Sequence, residues 1–166
     1  AWAYLGMTQA QLGKVEEAIE TYRKCIEVEP NYHKAYNNIG ELYRRKGLLD
    51  YAVMVFKMAR EIDATHAHYF YNLGITYFEI GMLSQAEEAL AKAHALDPKD
   101  FDFADELAQT RFNLRKFTEA AQVLEDFARI QPDHDRIAEI RARLIMLKRK
   151  IEGGERPLEP PSVIRE

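Results

Sequence analysis

Apolar residues along this chain recur at the spacing of a helix face rather than in the alternation of a half-buried strand. Ile39, Leu42 and Tyr43 form one such set, and Ala52, Val55, Phe56 and Ala59 form the next, with charged residues on the intervening positions. Each stretch has one apolar stripe to bury, so successive stretches are expected to fold as helices packed in pairs.

The pairs repeat. A displacement of 34 positions superimposes Gly6, Gly40 and Gly74, then Gly13, Gly47 and Gly81. The same displacement aligns Leu5, Ile39, Leu73 and Leu107; Ala18, Ala52, Ala86 and Ala120; and Tyr22, Phe56, Leu90 and Leu124. Gly13, Gly47 and Gly81 fall between the paired helices, where a residue with positive φ lets the chain turn back. Gly6, Gly40 and Gly74 fall inside the first helix, where glycine costs ~1 kcal/mol relative to alanine. Their recurrence predicts close approach of the neighbouring helix, with the small Ala18, Ala52 and Ala86 opposite. Pro30, Pro98 and Pro132 follow the second helices and stop them.

Trp2, Leu5, Gly6, Ala18, Tyr22, Cys25 and Pro30 stand in the order that marks a tetratricopeptide repeat, and the chain resembles that family over residues 1 to about 134. The fourth copy departs from the pattern: Ala108 and Arg115 replace the two glycines, and Phe127 replaces the usual small residue. The resemblance implies an all-α, right-handed α-solenoid of about four helix-turn-helix units. These are expected at 1–32, 33–66, 67–100 and 101–134, the first truncated at its start. A capping helix is expected at 135–152, with Ile137, Ile140, Leu144, Ile145, Leu147 and Ile151 inward and Arg141, Arg143, Lys148, Arg149 and Lys150 in water. Gly153 and Gly154 are expected to end it, leaving 153–166 as a proline-containing tail or linker. A chain that opens at Ala1-Trp2, inside an apolar pattern, is expected to lack its native start.

Composition narrows the function. The 166 residues carry 23 Lys and Arg against 27 Asp and Glu, a net charge of −4, which offers no basic field for nucleic acid. No window holds the ~18 consecutive apolar residues of a membrane span. The single cysteine, Cys25, rules out an intrachain disulfide and suits a reducing, cytoplasmic setting. Cys25 shares its register with Ala59 and Ala93 and reads as a packing residue rather than a nucleophile. His66 and His68 are two apart and diverge on a helix, so no metal set is expected. His33, His94 and His134 have no nucleophile partner. No phosphate loop, GxSxG turn or HExxH helix occurs, so neither catalysis nor a cofactor is expected.

In the resembling family the first helices line a concave groove that holds a partner's peptide. By register the groove here is Asn38, Glu41, Arg44 and Arg45 in the second repeat, His68, Tyr71, Asn72, Ile75 and Phe78 in the third, and Asp105, Gln109 and Phe112 in the fourth. Asn37 and Met7 lie on the same rows. Asn38 and Asn72 are one repeat apart, and a side-chain amide can donate to and accept from a peptide backbone at once. The clamp that grips chaperone C-terminal carboxylates is matched here only by Asn38, since Ala3, Met7, His68 and Asn72 occupy its other places. Such a carboxylate is therefore not the expected ligand. With arginines at Arg44 and Arg45, aromatics in the middle and acids at the far end, the expected partner is a mixed-charge peptide with an apolar anchor received by Phe78. Of the adjacent Tyr77 and Phe78, one must pack between helices.

The expectation is a non-catalytic scaffold or adaptor. Two other readings are the recognition arm of a larger enzyme, such as a glycosyltransferase, and a self-associating structural array.

Overall fold

A computed structural model describes residues 1–154. Among these the chain forms α1 (Trp2–Gln11), α2 (Val15–Val28), α3 (His33–Arg45), α4 (Leu49–Ile62), α5 (Ala67–Ile80), α6 (Leu83–Leu96), α7 (Phe101–Asn113), α8 (Phe117–Ile130) and α9 (Ile137–Gly154). Each helix packs on its sequence neighbours, and α1, α3, α5 and α7 also touch one another in series, whereas α2, α4, α6 and α8 do not. Odd helices therefore line the tighter, concave side of an all-α solenoid and even helices its splayed, convex side.

Gly13, Gly47 and Gly81 adopt φ of +77°, +74° and +90°, and Arg115 takes the same left-handed conformation at +61°. The turn is preserved without its glycine: Lys116 N donates to Arg111 O at 2.9 Å, as Leu48 N does to Tyr43 O. The interior glycines meet a different neighbour from the one expected. A Cβ on Gly6, Gly40 or Gly74 would strike the side chain of Tyr22, Phe56 or Leu90, at 2.9, 2.6 and 2.6 Å. The close approach is thus made by the large residue of the second helix, and the small Ala18, Ala52 and Ala86 are not what the glycines accommodate.

Burial follows the helix pairs rather than a common centre. One cluster joins Ala18, Ile19 and Tyr22 to Ala35, Ile39 and Leu42. Another joins Ala52 and Phe56 to Leu73, Tyr77 and Ala86. A third runs from Leu90 through Leu107, Leu124 and Phe127 to Ile140 and Leu147 of α9.

Three expectations about α9 need correction. The helix continues through Gly153 and Gly154 instead of ending before them. Ile145 points outward, 54% exposed. Arg143 turns inward, with its guanidinium on Asp105 and Gln109 of α7. An isolated closing helix packs on one side only, so its inward stripe is narrower than its apolar residues suggest. The proline-containing tail lies outside the described residues beyond Gly154.

Candidate functional site

On the concave side, α1, α3 and α5 enclose a cleft of about 480 Å³. Its walls include Met7, Lys34, Asn37, Asn38, Glu41, His68, Tyr71 and Asn72, residues brought together because first helices repeat one register. A polar network stitches α3 to α5 across its floor. Asn72 Nδ2 donates to Asn37 Oδ1 at 2.9 Å and to Glu41 Oε1 at 3.2 Å, while Asn37 Nδ2 donates to the same Glu41 oxygen at 2.9 Å. Asn72 is buried, so these bonds replace the water its amide has lost. Asn38 stands beside the Tyr22 hydroxyl, whose pKa burial pushes up while Asn38 pulls it back.

The aromatic surface of the cleft is tyrosine and histidine. Tyr4, Tyr32, His66, Tyr69 and Tyr71 line it. The His33 Nδ1 lies in hydrogen-bonding contact with the Tyr69 hydroxyl, and its ring tilts against those of Tyr69 and His66. Burial, then the charges of Glu106, Asp102 and Asp100, push the Tyr71 hydroxyl up to about 12. It stays a neutral donor at physiological pH.

Other groove residues lie elsewhere. Tyr77 is the buried member of its pair, and Phe78 is half-buried against the cluster of α4, α5 and α6 rather than in the cleft. Ile75 and Phe112 pack on the cluster of the last two repeats. Arg44 reaches across to α5 and pairs with Glu79 at 2.7 Å. Arg45 leans the other way, lining a small cavity with Ala10, Tyr22 and Asn38, so the two arginines make no common patch. The acidic end is partly covered: Arg143 binds Asp105 and Gln109, and Arg136 approaches Asp102 at 3.5 Å. Glu106 is left among acids, its carboxyl raised by burial and by Asp102 and Glu79.

Tyr32, His66 and Tyr69 were not anticipated, because they sit at the joints between repeats. Arg143 had a signal: it lies one repeat beyond Gln109, so carrying the register into α9 would have placed it on the groove row.

The Cys25 thiol is buried, and that burial raises its pKa and disfavours the thiolate. Among the described residues, no cluster of three or more His, Cys, Asp or Glu could hold a metal ion, and no helix is long and apolar enough to cross a membrane.

Known proteins resemble the chain throughout. Tetratricopeptide repeat protein 37 of Xenopus laevis is 33% identical over 45 residues, which are 27% of this chain and 3% of that much longer protein. The crystal structure of YrrB, described as a TPR protein with an unusual peptide-binding site, superimposes with a TM-score of 0.77 at 19% identity, covering 93% of this chain and 78% of YrrB. MamA gives a TM-score of 0.72 at 23% identity over 90% of this chain and 95% of its own. PilF of Pseudomonas aeruginosa gives 0.75 at 22% identity over 90% and 68%. The family model for the cilia and flagella-associated protein 70 C-terminal domain matches residues 1–129, and the chain belongs to that family of tetratricopeptide repeat arrays.

Proposed function

We propose that this protein is a non-catalytic scaffold that holds an extended segment of a partner protein in its concave cleft. The observation that carries the reading is the convergence of three first helices on one polar and aromatic cleft with a buried amide network at its floor. In this reading Asn72 keeps its amide nitrogen on Asn37 and Glu41, and its Oδ1 accepts a backbone N–H of the partner. Lys34 faces an acidic group of the partner, and Met7, Tyr69 and Tyr71 receive its apolar anchor. Asn38 and His68 are further walls of the cleft, and the segment continues past Arg44 toward Asp105 and Gln109, while Arg45, Ile75, Phe78 and Phe112 support the array beside its path. The partner is of mixed charge. YrrB, by its description, has a peptide-binding site, and the present proposal extends peptide binding to this chain. The family's description names cilia and flagella, and we extend that location too.

Selection of displayed peptides on the wild-type chain, followed by binding to Asn72→Ala and Tyr71→Ala variants, tests this. Loss of about tenfold or more in affinity is expected for Tyr71→Ala if it forms the anchor's pocket. Selected peptides that bind both variants as tightly as the wild type would overturn the reading. Absence of the tagged protein from cilia would remove the proposed location.

A further inference from the structure

The second helices present an outward stripe at fixed register positions. In α2 it is Glu17, Glu20 and Lys24; in α6, Gln85, Glu88 and Lys92; in α8, Glu119, Gln122 and Asp126. In α4 the equivalent residues are Tyr51, Met54 and Met58, exposed by 56, 51 and 43%. Three of four repeats thus keep this stripe polar, and one makes it apolar along its whole length. The fold does not require the change, because α4 reaches the cores through Ala52, Val55, Phe56 and Ala59, all buried. The array engages only the stripe's first residue, Tyr51, whose ring tilts against Tyr43 of α3 at 5.6 Å; α4 touches only α3 and α5, and Met54 and Met58 stay open.

Beside the stripe, Asp50, Val53, Met54, Lys57, Met58 and Glu61 line a shallow depression of about 430 Å³. Its cation, Lys57, is drawn toward α5 and stands 5.9 Å over the Tyr77 ring. Asp50 and Glu61 mark the two ends, about 16 Å apart along the helix axis. Neither carboxylate forms an ion pair among the described residues. The surface is therefore an apolar strip with an acid at each end.

We propose that the convex face of α4 is a second docking surface, for an amphipathic helix of a partner protein carrying basic residues at both ends of its apolar face. Tyr51, Met54 and Met58 stand at i, i+3 and i+7, the spacing that a helix with the same periodicity can cover. Methionine side chains adapt to the opposing surface. Terminal acids select a helix with basic ends and repel an anionic bilayer. This surface is separate from the concave cleft, and its occupancy does not depend on the cleft's.

Four of the five methionines supply the test. Methyl-¹³C methionine labelling of the full chain reports the stripe at Met54 and Met58, the cleft at Met7 and the closing helix at Met146. The probe is a synthetic helix of about eighteen residues with leucines on one face and lysines at both ends. Saturable shifts of Met54 and Met58 are expected, with Met7 and Met146 unmoved, and a peptide with glutamates at its ends should bind more weakly. The variant Tyr51→Glu, Met54→Glu, Met58→Lys copies the pattern of α2; it should keep the helical circular dichroism and lose at least about tenfold in affinity. Unmoved Met54 and Met58 methyls, shifts arising at Met7 or Met146, or equal binding by the triple variant would overturn the proposal. So would concentration-dependent Met54 and Met58 shifts without peptide, which would make a second copy the occupant, or shifts induced by phosphatidylserine vesicles.

Discussion

Alanine at Gly40 is expected to destabilise the array although alanine is the better helix former. The added Cβ would stand 2.6 Å from Phe56 Cε1 and 2.7 Å from Cδ1, inside the ordinary contact distance. Phe56 is fully buried and held by Leu73, Tyr77 and Ala86, so its ring has nowhere to turn. Overpacking of this kind costs ~1–3 kcal/mol, against ~1 kcal/mol returned by helix propensity. A 2.6 Å approach to a fully buried ring falls in the upper half of that cost, ~2–3 kcal/mol, so the net loss should be about 1–2 kcal/mol, read as a lower urea midpoint by circular dichroism with little change in slope. A second variant isolates the cause. The fourth repeat has alanine and leucine at the equivalent positions, Ala108 and Leu124, both buried. Phe56→Leu alone should destabilise by leaving a cavity, yet Gly40→Ala combined with Phe56→Leu should be more stable than the two losses added, by about 1 kcal/mol. A Gly40→Ala chain as stable as wild type, or strictly additive losses, would refute the steric account.

Arg115→Gly should raise stability by about 1 kcal/mol in the same assay, because a non-glycine residue at positive φ carries a penalty of that order. Two carboxylates should bend the pH profile in opposite senses. Glu106 is raised by burial, Asp102 and Glu79, so its contribution is full below the ordinary carboxylate range and is lost as pH rises through its folded value. Thermal melts of Glu106→Gln should show that fall abolished and a gain at neutral pH. For Glu87 burial works upward, but hydrogen bonds from Lys116 and Arg111 outweigh it and hold the carboxyl low. Its contribution is present above the ordinary range and lost as pH falls through the folded value, so Glu87→Gln should cost stability at neutral pH and remove that acid-side loss. Arg143→Ala should release α9: hydrogen exchange should quicken across Ile137–Gly154, with a loss of about 1–2 kcal/mol from the broken contacts to Asp105 and Gln109.

The helix pairs and their turns were legible because glycine is the residue whose backbone freedom a tight turn uses most, and three turns used it. Arg115 shows the limit: its turn is fixed by Phe112, Arg111 and the surrounding packing, so the conformation survives a residue that disfavours it. Register locates a helix face but not which side chain on that face leans across, so it does not reveal that Tyr22, Phe56 and Leu90 are what the interior glycines meet. For the cleft, residues in mid-helix, such as Asn38, Glu41, Tyr71 and Asn72, followed from the 34-residue register once the family resemblance had assigned first helices to the concave side. Tyr32, His66 and Tyr69 did not, since the direction of a side chain at a joint depends on the angle between repeats. Nor did the Arg44–Glu79 pair, which forms between long side chains on different helices and takes Arg44 away from Arg45.

Among the described residues, no core cluster joins α1 and α2 to α7, α8 and α9. Tension applied across such a molecule has no central knot to break. The end unit, with a neighbour on one side only, is expected to yield first, and each unit of 34 residues that lets go would release about 110–120 Å of chain. Stretched from its ends, such an array is expected to lengthen in a short series of steps, one for each unit that lets go.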